Sequence, residues 1–312
     1  MKQCPLCRSS EAQPVERYRF DDIWDALLTQ WAVELSPEVR AAHAPREFTT
    51  ARRCAGCGLE WFAPAIAGDT RFYDELMRCT PYVTDRWEFG IVAGRVRTTD
   101  HVVDLGCGDG ALIRRVARHV ARAIGVDTNE RAVQRLRSDG YEASSEALAS
   151  FAARESQRFD VVCAFQIAEH LEDLELLVAP ARALLRPNGR LFLSVPNRHR
   201  LARAPFEPLD LPPHHLSRWA RPQLEALGRH GGLTLVRVLH SPPTYGDVVA
   251  ALDAHLKPRL GPGAGRIVRR ALLGPHRHDL LSRTGTYQRA GLTGHTMLAE
   301  YRLPDLRTDA GA

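Results

Sequence analysis

The sequence predicts an α/β protein, a Rossmann-like sheet of seven strands behind a small cysteine-bearing segment. Three observations predict it. The run Val102-Val103-Asp104-Leu105-Gly106-Cys107-Gly108-Asp109-Gly110 takes an apolar strand through three alternate glycines into a helix from Ala111. A second short strand, Ala123 to Val126, ends in the acid Asp127. Later, the apolar runs Phe159 to Phe165 and Leu191 to Val195 flank a helix ending at Arg186 and a Pro187-Asn188-Gly189 turn. Strands alternating with helices in this way build a parallel sheet.

The first unit reads as a nucleoside pocket. Glycines let the backbone approach a ligand more closely than any Cβ allows. A carboxylate at the second strand tip, Asp127 with Thr128 after it, is placed to accept both hydroxyls of a ribose. Gly106-x-Gly108-x-x-Ala111 also fits a dinucleotide fingerprint, so the glycines alone do not choose the nucleoside. Asp104, two residues before the first glycine, is positioned to orient the loop and to hold an ammonium. The stretch Phe159 to Gln166, then Glu169-His170-Leu171-Glu172-Asp173-Leu174, a helix, and Leu185-Arg186-Pro187-Asn188-Gly189 before the fifth strand decides more strongly. Over about residues 82–240 this order resembles class I methyltransferases dependent on S-adenosylmethionine (SAM). The resemblance implies a seven-stranded SAM methyltransferase fold. It also implies SAM contacts from Asp104, Gly106, Gly108, Gly110, Asp127, Thr128, the strand-four tip Gln166, and Glu146 in the loop beside adenine.

Composition sets the class. The 312 residues are 44% apolar and 25% charged, with a net charge of +5 that arginine carries almost alone, Lys2 and Lys257 being the only lysines. The chain has neither an 18-residue apolar run nor a signal peptide, so the expected place is the cytoplasm, with no membrane segment. Arginines concentrate at 114–122 and 266–270, where they read as solvated helix faces rather than a nucleic-acid patch. The oligomeric state is not legible.

Four of seven cysteines form two knuckles, Cys4-Pro-Leu-Cys7 and Cys54-Ala-Gly-Cys57. Each turn aims two thiolates at one point, and two such turns complete a tetrahedral zinc shell with no open position. Between them, Ile23, Trp24, Leu27, Leu28, Trp31 and Leu35 give Phe20 to Arg40 helical spacing, an inserted arm. His43 is expected at the surface, with a replacement ligand role as the alternative. Cys107 and Cys163 read as small residues in or beside the sheet. The segment through Arg53-Cys54, Trp61-Phe62-Ala63-Pro64 and Phe72-Tyr73 resembles bacterial methyltransferases with a zinc-binding N-terminal segment that act in sugar, antibiotic or cell-surface glycan pathways. Sugar C-methyltransferases share that segment but have a further C-terminal domain.

The expected organisation is a zinc ribbon with helical insert at 1–70, a helical cover at 71–98, the methyltransferase domain at 99–303 and a tail at 304–312. Strands are expected near 101–105, 122–127, 141–143, 159–165, 189–195, 233–240 and 293–302. In the resembling enzymes the cover helix lies over SAM, which nominates Tyr82 or Trp87. An insert at 245–291, with helical segments at 248–256 and 267–273 around Gly261-Pro262-Gly263, reads as a lid.

Methyl transfer from a sulfonium is an in-line displacement, so holding the nucleophile near ~3–3.5 Å supplies most of the catalysis. A hydroxyl acceptor also needs a base, and histidine, with an unperturbed pKa of about 6.5, is the natural one. His214 and His215, in Pro212-Pro213-His214-His215 after strand five, lead; His170 and His199 follow. A similar Pro-x-His-His segment occurs in related methyltransferases facing the acceptor. Ubiquinone-pathway O-methyltransferases resemble the His170 stretch, but their Glu-x-x-Glu-His can hold a metal and here Gln166 replaces the first carboxylate. Metal ligands are therefore expected only at Cys4, Cys7, Cys54 and Cys57. The leading reading is methylation of a small molecule or glycan, at oxygen first and carbon or nitrogen next. The alternatives are an RNA methyltransferase using the zinc ribbon, a non-catalytic SAM-binding module and, more distantly, an NAD oxidoreductase.

Overall fold

Strands apolar at consecutive positions need a sheet covered on both faces. A computed structural model, describing residues 3–79, 85–202, 206–272 and 274–305, has that sheet. The strands among the described residues are β1 (Ala12–Arg19), β2 (Phe48–Cys54), β3 (Glu60–Ala63), β4 (His101–Leu105), β5 (Arg122–Val126), β6 (Glu142–Ser144), β7 (Phe159–Phe165), β8 (Leu185–Pro196), β9 (Ser217–Arg218), β10 (Thr234–His240) and β11 (Thr296–Arg302). Seven form one sheet in the order β10-β11-β8-β7-β4-β5-β6. β4 to β8 run parallel, and β11 is antiparallel between β8 and β10. Val103, Val162, Leu191 and Leu193 are fully enclosed in the middle of it. The chain leaves β4 toward β5 on one side and lies beside β7 on the other. Their C-terminal ends therefore open the crevice where such sheets take ligands.

The helices differ from expectation in three places. The arm is two helices, Phe20–Trp31 and Pro37–His43, because Ala32 turns left-handed at φ 55° and Ser36 starts the second helix by accepting from Val39 N. The cover is also two helices, Thr70–Cys79 and Trp87–Ala93; a proline at 81 disfavours helix before it. Tyr82 lies outside the described residues. The insert, expected as two helical segments, runs as one helix, Tyr245–Leu272, followed by Pro275–Arg283 and Thr286–Arg289; nothing in the fold explains its passage through the Gly-Pro-Gly run. Among the described residues no helix is long and apolar enough to cross a membrane.

The N-terminal segment makes a second sheet, β1-β2-β3-β9, whose last strand comes from the far half of the chain. β3 pairs Glu60 with Arg218 and Trp61 with Ser217. The arm buries Phe20, Ile23, Trp24 and Leu27 against Phe62, Phe72, Leu76 and Leu211. His43 is not at the surface. It is buried, with Nδ1 2.8 Å from Val39 O and Nε2 accepting from Asp69 N, and it is not part of the cysteine cluster.

A buried charge cluster locks the junction. Glu60 is 1% exposed, and its carboxylate lies 2.6 Å from Arg53, 2.8 Å from Arg198 and 3.9 Å from Arg218. Burial would raise the Glu60 carboxyl, but the arginines hold it below the usual range. Its contribution is thus present above the unfolded carboxylate pKa and lost as pH falls through the lowered folded value. Glu60→Ala leaves two largely buried guanidinia without their carboxylate and is expected to cost about 3–5 kcal/mol in denaturant unfolding at pH 7. A loss below ~1 kcal/mol would show that solvent already satisfies them.

Candidate functional site

The site is built at the ends of β4, β5 and β7. After β4 the loop closes onto β5, with Gly106 N and Cys107 N both donating to Val126 O. Gly106 holds φ +67°, and a Cβ there would meet Ile167 at 2.5 Å, so the turn admits nothing larger. At Gly108, φ +50°, a Cβ would meet nothing within 4 Å; here the demand is the backbone angle, and the space faces the cavity. Asp127 ties the loop down: Oδ2 accepts from Gly108 N at 2.8 Å and Oδ1 from Asn129 N at 2.8 Å. Each oxygen keeps a second acceptor position.

The loop edges a cavity of about 620 Å³. Asp104, Gly106, Gly108, Asp127, Phe165 and Gln166 line one side, and Tyr73, Met77, Arg86 and Phe89 come from the two cover helices. Glu169, His170, His214, His215 and His295 complete the wall. Gln166 has φ +54° and donates from Nε2 to Ser194 Oγ at 3.0 Å. Gly110, Thr128, Glu146 and His199 are not among the lining residues, Gly110 being packed against Leu136. Glu146 is paired with Arg154 at 2.9 Å, and His199 donates its backbone N–H to Asn197. The cover contributes Tyr73 and Met77 instead of Trp87, whose Nε1 donates to Thr296 Oγ1.

His170, expected apart from the adjacent pair His214 and His215, lies with them. Ring centroids are 5.0 Å apart for His170 and His214, 4.9 Å for His170 and His215, and 4.3 Å for His214 and His215. Two backbone bonds hold the loop between the segment after β7 and β3: Leu216 N donates to Glu169 O at 2.7 Å, and Phe62 N to Leu216 O at 3.0 Å. His170 Nδ1 is 2.6 Å from His214 O and 2.9 Å from Tyr73 Oη. A lone pair facing a carbonyl at that distance is repulsive, so Nδ1 bears the proton and Nε2 the lone pair. Burial pushes His170 down to about 4, against its bond to the His214 carbonyl. Burial also holds His214 and His215 well below the ordinary imidazole value, with neighbouring histidines and arginines adding to it. The titration expected near 6.5 is displaced downward because these rings are kept from water.

Two acids behave in the opposite sense. Burial, then the charge of Asp127, pushes Asp104 up to about 8. Glu169 is fully enclosed, and neither carboxylate oxygen has a hydrogen-bond partner among the described residues. Burial pushes it up to about 8 as well.

Sequence reasoning missed His295, Asp247 and Glu169 as parts of one wall. His295 Nε2 is 2.9 Å from Asp247 Oδ1, and Asp247 is fixed by Thr244 N and the Thr244 hydroxyl. Burial would raise Asp247, but His295 and Thr244 hold it below the usual carboxylate range. Forty-eight positions separate the pair, so no local spacing announces it. The insert thereby reaches the cavity rim through its first turn.

A family model described as a methyltransferase domain matches residues 87–238, just under half of the chain. A ubiquinone biosynthesis O-methyltransferase of Coxiella burnetii (strain RSA 331 / Henzerling II) is 29% identical over 155 residues, covering 44% of this chain and 65% of that protein. One from Aromatoleum aromaticum is 36% identical over 107 residues, 31% of this chain and 44% of that protein. The chain thus spans less than two thirds of these relatives' length. A solved SAM-dependent methyltransferase from Archaeoglobus fulgidus aligns over 75% of this chain and 100% of its own, with 14% identity and a TM-score of 0.49. Residues 87–238 thus match a methyltransferase-domain family, and the sheet's strand order is that of a Rossmann-like methyltransferase fold.

Proposed function

We propose that this protein methylates a small-molecule or glycan acceptor, at oxygen, with SAM as donor. One observation carries the reading: the glycine loop with its two acids and a group of proton-accepting imidazoles line the same cavity. A buried Asp104 and a glycine loop with open space at Gly108 fit an amino-acid-bearing nucleoside. When bound, SAM supplies an electrophilic methyl group on a sulfonium. Asp104 takes the ammonium, and the unused acceptor positions of Asp127 take the ribose hydroxyls. Thr128 and Glu146 are secondary contacts for the same nucleoside. The proton that a hydroxyl acceptor sheds goes to His214 or His215, with His170 behind them; His199 is the weakest candidate because it stands outside the lining. The Asp247–His295 pair is a further base at the rim, with its carboxylate fixing the ring.

Cys4 Sγ lies 3.5 Å from Cys57 Sγ, and Cys7 Sγ 3.4 Å from Cys54 Sγ. Four thiolates about 2.3 Å from one zinc ion stand about 3.8 Å apart, so the set fits a structural zinc with little movement. The ion would tie the start of the chain to the β2–β3 turn. It would supply no catalysis, because four sulfurs leave no open position.

The Asp104 shift gives the binding a sign. Below about pH 8 the free protein holds Asp104 neutral, and a cation beside it favours the carboxylate. Affinity for SAM or S-adenosylhomocysteine should rise from pH 6 to about 8, by up to ~10-fold per unit, then level. Calorimetry in buffers of different ionisation heat should show proton release at pH 7. Asp104→Asn should flatten the profile, and Asp127→Ala should weaken binding ~10-fold or more. A flat wild-type profile would remove Asp104 from the ligand.

For the acceptor side, His214→Ala with His215→Ala should lower turnover by about 10²–10⁴ and leave SAM affinity nearly intact. Equal turnover in the folded double variant would assign the pair to packing. For the cysteines, metal analysis should find one zinc per cysteine cluster, and Cys54→Ser should lose it and destabilise the N-terminal sheet. Full stability of the metal-free variant would refute the site.

A further inference from the structure

The described groups on the acceptor wall have more lone pairs than partners. Glu169 is sealed in, and neither carboxylate oxygen has a hydrogen-bond partner among the described residues. His214 Nδ1 is likewise buried without a partner. His170 turns Nε2, its free lone pair, to within 3.9 Å of Glu169 Oε1. Buried polar groups left unbonded mark a missing water, ion or ligand more often than a defect.

We infer that His170, His214 and His215 bind a divalent transition-metal ion at the base of the acceptor side, with the Glu169 carboxylate behind the His170 ring. One nitrogen from each ring already lies within 4.8 Å of the other two. An ion sits about 2.0–2.1 Å from an imidazole nitrogen, which puts the centres of two coordinated rings about 4.5–5.2 Å apart at right to tetrahedral angles. The observed centroid separations run from 4.3 to 5.0 Å. Bringing the donors onto one ion asks for a contraction of up to about 1.5 Å, toward the ~3.3 Å nitrogen spacing of a tetrahedron.

The supporting bonds are those a ligand histidine needs. The second nitrogen of such a ring is fixed by a carbonyl or carboxylate, and His170 Nδ1 meets the His214 carbonyl and the Tyr73 hydroxyl. Gln166 takes no part, being bonded to Ser194. Three imidazoles suit zinc, iron(II), cobalt(II) or nickel(II) better than magnesium or calcium. A site open toward the cavity would leave room for one oxygen of an acceptor. That last role rests on the function proposed above; ion binding does not.

The test is a Co²⁺ titration of full-length, metal-stripped protein in the absence of SAM. Two equivalents are expected per chain. One shows intense thiolate charge-transfer bands, and the other shows only the weaker visible bands of nitrogen and oxygen ligands. His214→Ala with His215→Ala should abolish the second and keep the first, and Cys54→Ser should do the reverse. A single equivalent in the wild type, or a second that survives the double substitution, overturns the site. X-ray absorption of the wild type loaded with two Zn²⁺ needs no variant: a mixed sulfur and imidazole shell supports the site, and an all-sulfur shell refutes it. SAM calorimetry on the same samples keeps the two readings apart, because lost SAM binding beside a retained second ion counts against the methyltransferase reading alone.

Discussion

The pairing of β3 with β9 is the constraint on which the histidine wall of the cavity depends. Two residues of each strand carry it, and Glu60, clasped by arginines from β2, β9 and the loop after β8, locks it in place. The loop holding His214 and His215 is therefore held between the N-terminal sheet and the end of β7, through Leu216 on both sides. Arg218 also lies over the rings of Tyr18 and Phe62, at 5.3 and 5.0 Å, and donates to the Tyr18 hydroxyl. The cysteine segment thus buttresses the site and is not an independent module. Loosening it shifts the imidazoles without touching the glycine loop.

Five titratable groups around the cavity are shifted toward their neutral forms. Asp104 and Glu169 are pushed up and the three histidines down for one reason, the cost of charge away from water. Such a surface favours a ligand that brings its own positive charge to the acids. It also leaves imidazole lone pairs ready for a proton or an ion. The rim differs: Asp247 stays ionised because His295 and Thr244 bond to it.

The parts legible in the sequence were those whose physics is local. The glycine loop after β4, the acid ending β5 and the apolar runs of β7 and β8 each lie within one short stretch. Turn angle, strand burial and helix start act there over a few residues. The expected strands all appear, with shifts of a few residues at their ends. Helix continuity was less legible, since the arm breaks at Ala32 and a left-handed alanine has no sequence signal.

What the sequence by itself determined is the seven-stranded sheet, the glycine loop at the ends of β4 and β5, and the convergence of four cysteines from two knuckles. Only the tertiary structure decided that β9 completes the cysteine-bearing sheet, that His170 meets His214 and His215, and that Asp247 orients His295. It also decided that Glu169 is sealed without a partner, and that the histidines expected to titrate near neutrality are held far below it. The reason is range. A turn or a strand is set by neighbours along the chain, whereas burial and convergence depend on segments tens of residues apart whose meeting leaves no periodicity to read.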